Sequence, residues 1–278
     1  MKPVNFSDSS DRKSKMEKKL YMRVAGFTIK LFFHKSDIPH LKEKFQKEIE
    51  QNYDSFLIRN HVISNLDYSV HFYSDNGIEV LKRKRERKYF LNFYNELKNN
   101  RINSFYHISR FQFEVLIKKI LSRLLYKNSG FLIHCSANNL NGKAAVFTGK
   151  SGAGKSTIMG LLRSKYPALA DDNAVLRKIN NKYYFFQIPL PEKILIQDRT
   201  SRGYPLGKLF FLKKDSRFKI EKIIRKDEIF NRLIKQFWTE KLFTKKHLKS
   251  LMEMTADFNE FNYLYFAKNK NKVLELFQ

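Results

Sequence analysis

Gly149-Lys150-Ser151-Gly152-Ala153-Gly154-Lys155-Ser156-Thr157 is the stretch whose reading decides the fold. It satisfies the phosphate-binding loop pattern G-x-x-x-x-G-K-[ST] at every fixed position. Ala144-Ala145-Val146-Phe147 before it reads as an apolar strand, and Thr157-Ile158-Met159-Gly160-Leu161-Leu162 after it as a helix. Glycines let the backbone curl so that its N–H groups point inward at phosphate oxygens, and the following helix turns its positive end toward the same anion. Gly149, Ser151, Gly152, Ala153, Gly154, Lys155, Ser156 and Thr157 are therefore the expected nucleotide-contact residues. Lys155 reaches for the terminal phosphates, and the Ser156 hydroxyl for magnesium.

Working downstream, Ala168-Leu169-Ala170-Asp171-Asp172-Asn173 ends a short apolar strand on two adjacent carboxylates. Phosphoryl transfer needs a second carboxylate on the metal and profits from a base that accepts the acceptor's proton. Neighbouring side chains of an extended segment point to opposite faces, so both reach one site only at a strand end or turn. A helix N-cap or an Asx-turn accounts for Asp-Asp-Asn equally well. Upstream, Gly130-Phe131-Leu132-Ile133-His134-Cys135-Ser136-Ala137 leads to Asn141-Gly142, a hairpin turn into the strand of the loop. His134 on its own suits a structural or a catalytic role.

Taken together, His134-Cys135-Ser136-Ala137, the Asn141-Gly142 turn, the run from Phe147 to Thr157 and Ala170-Asp171-Asp172-Asn173 resemble the kinase domain of bacterial HPr kinase/phosphorylase. The resemblance is closer to the smaller HPr-kinase-like proteins of peptide-modification clusters, including lasso-peptide kinases. It extends more loosely to Pro205-Leu206-Gly207-Lys208-Leu209-Phe210-Phe211-Leu212, to Asn262-Tyr263-Leu264-Tyr265-Phe266 and to a terminal helix from Lys270 to Phe277. It implies an α/β fold related to phosphoenolpyruvate carboxykinase, with a mixed, partly antiparallel sheet. It also implies ATP and Mg2+ as cofactors. Carried over, Lys155 and Ser156 hold phosphate and magnesium, Asp171 and Asp172 supply the metal contact and the base, and His134 lies near the reacting phosphates. Two departures stand out. The loop reads Gly154-Lys155-Ser156-Thr157 where HPr kinases have Glu last, and the arginine- and glycine-rich segment tied to phosphorylase activity has no counterpart. Both argue against HPr as the acceptor.

Other loop-bearing classes fit less well. No Ser-Gly-Gly-Gln-like signature marks a transporter ATPase, and Asn269-Lys270-Asn271-Lys272 lacks the aspartate that reads guanine. Leu209-Phe210-Phe211-Leu212 reads as a buried strand. The 278 residues, 42% hydrophobic with 26 Phe and 14 Tyr, suffice for one large domain or two modest ones and exclude global disorder. No apolar run approaches the roughly twenty residues of a membrane span. Met1 to Lys19 carries no signal-peptide apolar core, and the single cysteine, Cys135, excludes an internal disulfide, so a cytoplasmic protein is expected.

The charge is extreme, with 54 Lys+Arg against 27 Asp+Glu for a net +27. An acidic partner accounts for it, either an acidic peptide or protein, an anionic membrane face or, less favoured, nucleic acid; so does a codon bias toward lysine. The densest cluster, Lys82-Arg83-Lys84-Arg85-Glu86-Arg87-Lys88, reads as a charged strand edge or a docking surface.

The chain divides into a mobile basic tail at 1–18, a small β-rich domain at 19–109 and the HPr-kinase-like domain at 110–278. Leu20 to Phe33 reads as strands turning at Gly26, and Asp67 to Ser74 as another ending in Asp75-Asn76-Gly77. Tyr89 to Tyr94 and Ile102 to Ile108 complete a small antiparallel sheet. Phe111, Val115, Leu116, Ile120, Leu124 and Leu125 recur at helical spacing in a helix joining the two parts. Val175 to Ile179 and Tyr183 to Ile188 read as strands. Asp227 to Met254 reads as one long helix with Ile229, Leu233, Phe237, Trp238, Leu248 and Met252 on its apolar stripe. Arg199 and Arg202, in a loop with Gly203 and Pro205, are conditional candidates for the γ-phosphate. The expected activity is transfer of the γ-phosphate of ATP to a hydroxyl, foremost serine on a peptide or protein. A metabolite kinase and a nucleotide-dependent switch without transfer are the alternatives.

Overall fold

The computed structural model describes residues 19–59, 63, 65–74, 82–85, 88–91, 93–238 and 245–278, with 82–85, 88–91 and 238 described by backbone alone. The expected tail at 1–18, the Asp75-Asn76-Gly77 turn and the side chains of Lys82 to Lys88 lie outside the described residues.

In the first part, β1 (Lys19–Val24) and β2 (Phe27–Phe33) form a hairpin, followed by α1 (Pro39–Asn52), β3 (Tyr68–Tyr73), the short pair β4 (Lys82–Arg85) and β5 (Lys88–Leu91), then β6 (Tyr94–Leu97) and β7 (Arg101–Phe105). Among the described residues the main sheet runs β1-β2-β3-β7-β6. It is mixed and not antiparallel as expected, because β2 pairs β3 and β3 pairs β7 in parallel. Parallel neighbours need a crossover. Between β2 and β3 that crossover holds α1, which the sequence reading missed although Pro39 stands at its first turn and Phe45 and Ile49 are buried four residues apart.

Helix α2 (Arg110–Lys127) is capped by Ser109, whose hydroxyl accepts from the Gln112 amide while the Gln112 side chain accepts from the Ser109 amide. Its buried residues run from Phe113 to Leu125 and share one apolar cluster with β1, β2, β3, α1 and with Leu132, Val175 and Phe186 of the second part. Phe111, read as part of the apolar stripe, is 72% exposed.

The second part comprises β8 (Gly130–His134), β9 (Ser136–Leu140), β10 (Lys143–Thr148), α3 (Lys155–Leu162), β11 (Ala168–Ala170), β12 (Asn173–Ile179), β13 (Lys182–Phe186), β14 (Gly203–Lys214) and β15 (Lys219–Lys222). It continues through α4 (Lys226–Leu233), β16 (Phe237–Trp238), α5 (Lys245–Asp257), β17 (Phe261–Phe266) and α6 (Lys270–Glu275). The single long helix expected from Asp227 to Met254 is therefore corrected. Phe237 and Trp238 pair with Ile133 and Leu132 at a sheet edge, and Met252 is 60% exposed. Pairing to β8 outweighed the helical periodicity.

The sheet of this part runs β11-β9-β10-β14-β13-β12-β8-β16, with β17 on β14 and β15 on β17. It is mixed, as expected: β14 lies parallel to β10 and β17, and the remaining pairs are antiparallel. The long β14 joins two halves, pairing β13 through residues 203–205 and β10 and β17 through its later residues. The halves meet again where β8 passes into β9 at Cys135 and β11 passes into β12 at Asp171-Asp172. There the Cys135 amide donates to the Asp172 carbonyl at 3.1 Å, and Asn173 pairs with His134.

Candidate active site

Strand β10 aims the glycine loop. Its last apolar residue, Phe147, is fully buried and stacks on Phe210 of β14 at 5.3 Å, so the backbone entering the loop rests on a packed platform. Removing such a ring costs about 3–5 kcal/mol. The Asn141-Gly142 turn before β10 has φ of 51° and 85°, as the hairpin reading requires. Inside the loop, Gly154 adopts φ 98°, and a Cβ there would lie 2.9 Å from Phe266, so glycine is required on both counts. Helix α3 starts at Lys155 directly after it.

Lys155 is 8% exposed and folds its ammonium back over the loop, donating to the Gly149 carbonyl at 2.9 Å and the Lys150 carbonyl at 3.4 Å. Burial lowers its pKa, and the nearby Lys193 lowers it further. The Ser136 hydroxyl, at the start of β9, donates to the Lys155 carbonyl at 2.7 Å. Thr148, the residue before Gly149, donates to the Gln236 side chain at 3.0 Å, while the Gln236 carbonyl accepts from the His134 amide at 3.0 Å. The loop, the end of β8 and the turn after α4 are thereby tied together.

The Asp171-Asp172 pair occupies the turn between β11 and β12, the strand end that the sequence argument demands, and no helix follows it. The two carboxylates have opposite environments. Asp171 is 2% exposed, and neither oxygen makes a hydrogen bond; burial raises its pKa, and the nearby Ser156 hydroxyl offsets that rise only in part. Asp172 is more open. Its Oδ1 lies 3.2 Å from His134 Nδ1 and 3.3 Å from Lys193 Nζ, and its Oδ2 accepts from the Asn173 amide group at 2.5 Å. His134 has its pKa lowered, by burial first and by the charge of Lys155 next, with Asp172 opposing. Cys135 is fully buried, and burial pushes its thiol well above the usual range, so it stays protonated.

Three contributors escaped the sequence reading. Glu192 Oε2 accepts from the Asp171 amide at 2.6 Å, and burial raises its pKa to about 7. Lys193 follows it onto Asp172. Gln187 is buried and bridges the Leu169 carbonyl to the Thr200 amide, each at 2.8 Å, holding β11 against this loop. A single carboxylate after Pro189-Leu190-Pro191 at the end of an apolar strand was the available signal. Arg199 is engaged by the backbone. It donates to the Ile188 carbonyl and, at 3.0 Å, to the Leu190 carbonyl, and lies over Phe56 at 5.2 Å. It thus fixes the loop that carries Glu192. Arg202 is exposed.

On the side of the loop facing β14 and α4 an open cleft of about 1120 Å³ is lined by Gly149, Gly152, Tyr265 and Gln236 among others. Lys150, Lys213, Lys214, Arg225, Arg232 and Lys235 also line it, against Asp215, Asp227 and Glu228. Those acids are already paired, with Arg217, Arg225 and Arg232 respectively. The cleft is therefore an anion-attracting space.

Loop amides, a lysine and a hydroxyl beside a buried carboxylate can together take up a polyanion with its divalent cation. These features define a mixed-sheet α/β protein with a glycine-rich loop and a carboxylate cluster at the seam of its sheet. The chain belongs to the family described as SynChlorMet cassette protein ScmC, whose model matches residues 105–247, from the end of β7 into α5. Among solved structures, the HPr(Ser) kinase/phosphatase from Coxiella burnetii matches at 14% identity and a TM-score of 0.29, over 52% of this chain and 86% of that one. No curated protein matches. Among the described residues, no helix is long and apolar enough to cross a membrane.

Proposed function

We propose that this chain is an ATP- and magnesium-dependent kinase of the HPr-kinase-like type, transferring the γ-phosphate to a hydroxyl, foremost serine on a peptide or protein. One observation carries the reading. Asp171 is a buried carboxylate with both oxygens unpartnered, next to Ser156 and across from the loop lysine. A buried charge without partners is costly, and a cation is the natural remedy. Ser156 and Asp171 would hold magnesium, which would neutralise charge on the phosphates.

The loop amides from Gly149 to Thr157 and the Lys155 ammonium hold the triphosphate. Asp172, half-open and oriented by His134, takes the proton of the acceptor hydroxyl. The hydroxyl oxygen attacks the γ-phosphorus, the bond to the β–γ bridging oxygen breaks, and ADP leaves with that electron pair. Asp171 and Asp172 thus divide the two jobs by burial, the enclosed one toward metal and the open one toward substrate. The cationic cleft beside the loop favours an acceptor with acidic residues near its hydroxyl.

The test is mass spectrometry of peptide and metabolite panels incubated with ATP and the full chain, in wild type, D171N and D172N forms. D171N should need more magnesium and recover in part when it is supplied. D172N should bind magnesium nucleotide normally and stall transfer. Absence of any modified acceptor, with nucleotide binding equal in all three proteins, would replace the kinase by a nucleotide-dependent switch.

A further inference from the structure

Lys193 belongs to none of the motifs, yet its ammonium stands in the middle of the site. Its Nζ approaches Asp172 Oδ1, the oxygen that also faces His134 Nδ1. Its charge is the strongest ionic influence on Lys155 and is felt by His134 and Asp171 as well. The two ammonium groups repel each other, and an anion taken up between them would relieve that repulsion. The backbone beneath Lys193 is anchored, because Glu192 holds the Asp171 amide and Arg199 holds the Ile188 and Leu190 carbonyls. The side chain itself is 56% exposed. An ion pair that open to water is weak, so the ammonium can leave Asp172 at little cost.

The geometry points to Lys193 as a further catalytic residue of the proposed transfer, resting on Asp172 in the free protein and moving to the γ-phosphate when nucleotide binds. The inference rests on the kinase reading above. The move has two consequences. The ammonium meets the charge that spreads over the γ-phosphate oxygens as the bridging bond breaks. It also leaves the Asp172 carboxylate open to the acceptor hydroxyl. Lys193 keeps its own protons throughout, so the atom balance of the transfer is unchanged.

K193M and K193R, made in the full chain, test this by calorimetry with magnesium and either ADP or the non-hydrolysable triphosphate AMP-PNP. K193M should weaken AMP-PNP at least about tenfold relative to ADP, since only AMP-PNP carries the γ-phosphate, and K193R should restore most of the difference. The transfer rate constant should fall on the order of thirtyfold in K193M. Thermal unfolding should match wild type, the side chain being on an exposed loop. Equal shifts for the two nucleotides, or none, in a protein whose wild type transfers phosphate would overturn the role of Lys193 and leave the kinase reading standing. A γ-phosphate-specific loss in a protein that modifies no acceptor would uphold the phosphate contact and remove its catalytic meaning together with the kinase. A wild type that binds neither nucleotide overturns both.

Discussion

Two buried carboxylates, one on the helix that joins the two parts and one in the second part, have opposite fates. Glu114 of α2 is 6% exposed, and its Oε1 accepts from Arg110 Nε at 2.9 Å and from the Tyr53 hydroxyl at 3.3 Å. Burial and that carboxylate push the Tyr53 hydroxyl pKa up, so it remains a donor. Asp171 is 2% exposed and has neither oxygen partnered. Among the described residues it is the one carboxylate in that state. A satisfied buried acid belongs to the scaffold, locking α1 to α2. An unsatisfied one keeps its lone pairs unused. Under the proposed function, the contrast separates a supporting region from a working one.

The largest effect expected on this comparison comes from the working region. K155A should lower turnover by at least about a hundredfold, roughly 2.7 kcal/mol of barrier, with the fold intact. Unchanged ATP turnover in a well-folded K155A protein would refute the loop assignment. The scaffold around Glu114 should answer in stability instead. E114A strands the Tyr53 hydroxyl, while Arg110 can turn to water, so a loss of about 2 kcal/mol is expected, with nucleotide affinity unchanged in the folded protein. D171N, which removes an unpartnered charge, should leave the unfolding free energy unchanged or raise it by up to about 1 kcal/mol. Denaturant titration of both variants reads the difference, and similar destabilisation by the two would erase the contrast.

The smallest effect is a pH dependence. Glu192 has its pKa raised from 4.5 to about 7, so between those values the folded protein binds more protons than the unfolded chain. Its contribution to stability is complete below about pH 4.5 and is lost as pH rises toward and through 7. E192Q should flatten that decline, as followed by thermal unfolding across pH 4.5 to 8. An unaltered profile would place Glu192 outside the coupled carboxylate group.

Local chemistry explains which parts of this molecule were legible in its residues. The glycine loop between β10 and α3, the Asn141-Gly142 hairpin, the strands around Asp171-Asp172 and the buried run in β14 each depend on turn chemistry or periodicity within about ten residues. Helical periodicity misled at Phe237 and Trp238, where a pairing partner more than a hundred residues away drew the chain into a strand. The parallel pairing of β2 with β3 was hidden for the same reason, since hydrophobic alternation does not reveal strand direction.

Sequence alone therefore determined that a glycine-rich loop, a lysine and a pair of carboxylates exist, because glycine conformations and side-chain chemistry are local properties. Tertiary structure decided that Asp171 is enclosed and Asp172 open, that Glu192 and Lys193 join them from another loop, and that Arg199 binds the carbonyls of that loop. Burial and charge proximity arise only when β8–β9 and β11–β12 cross at the seam of the folded sheet.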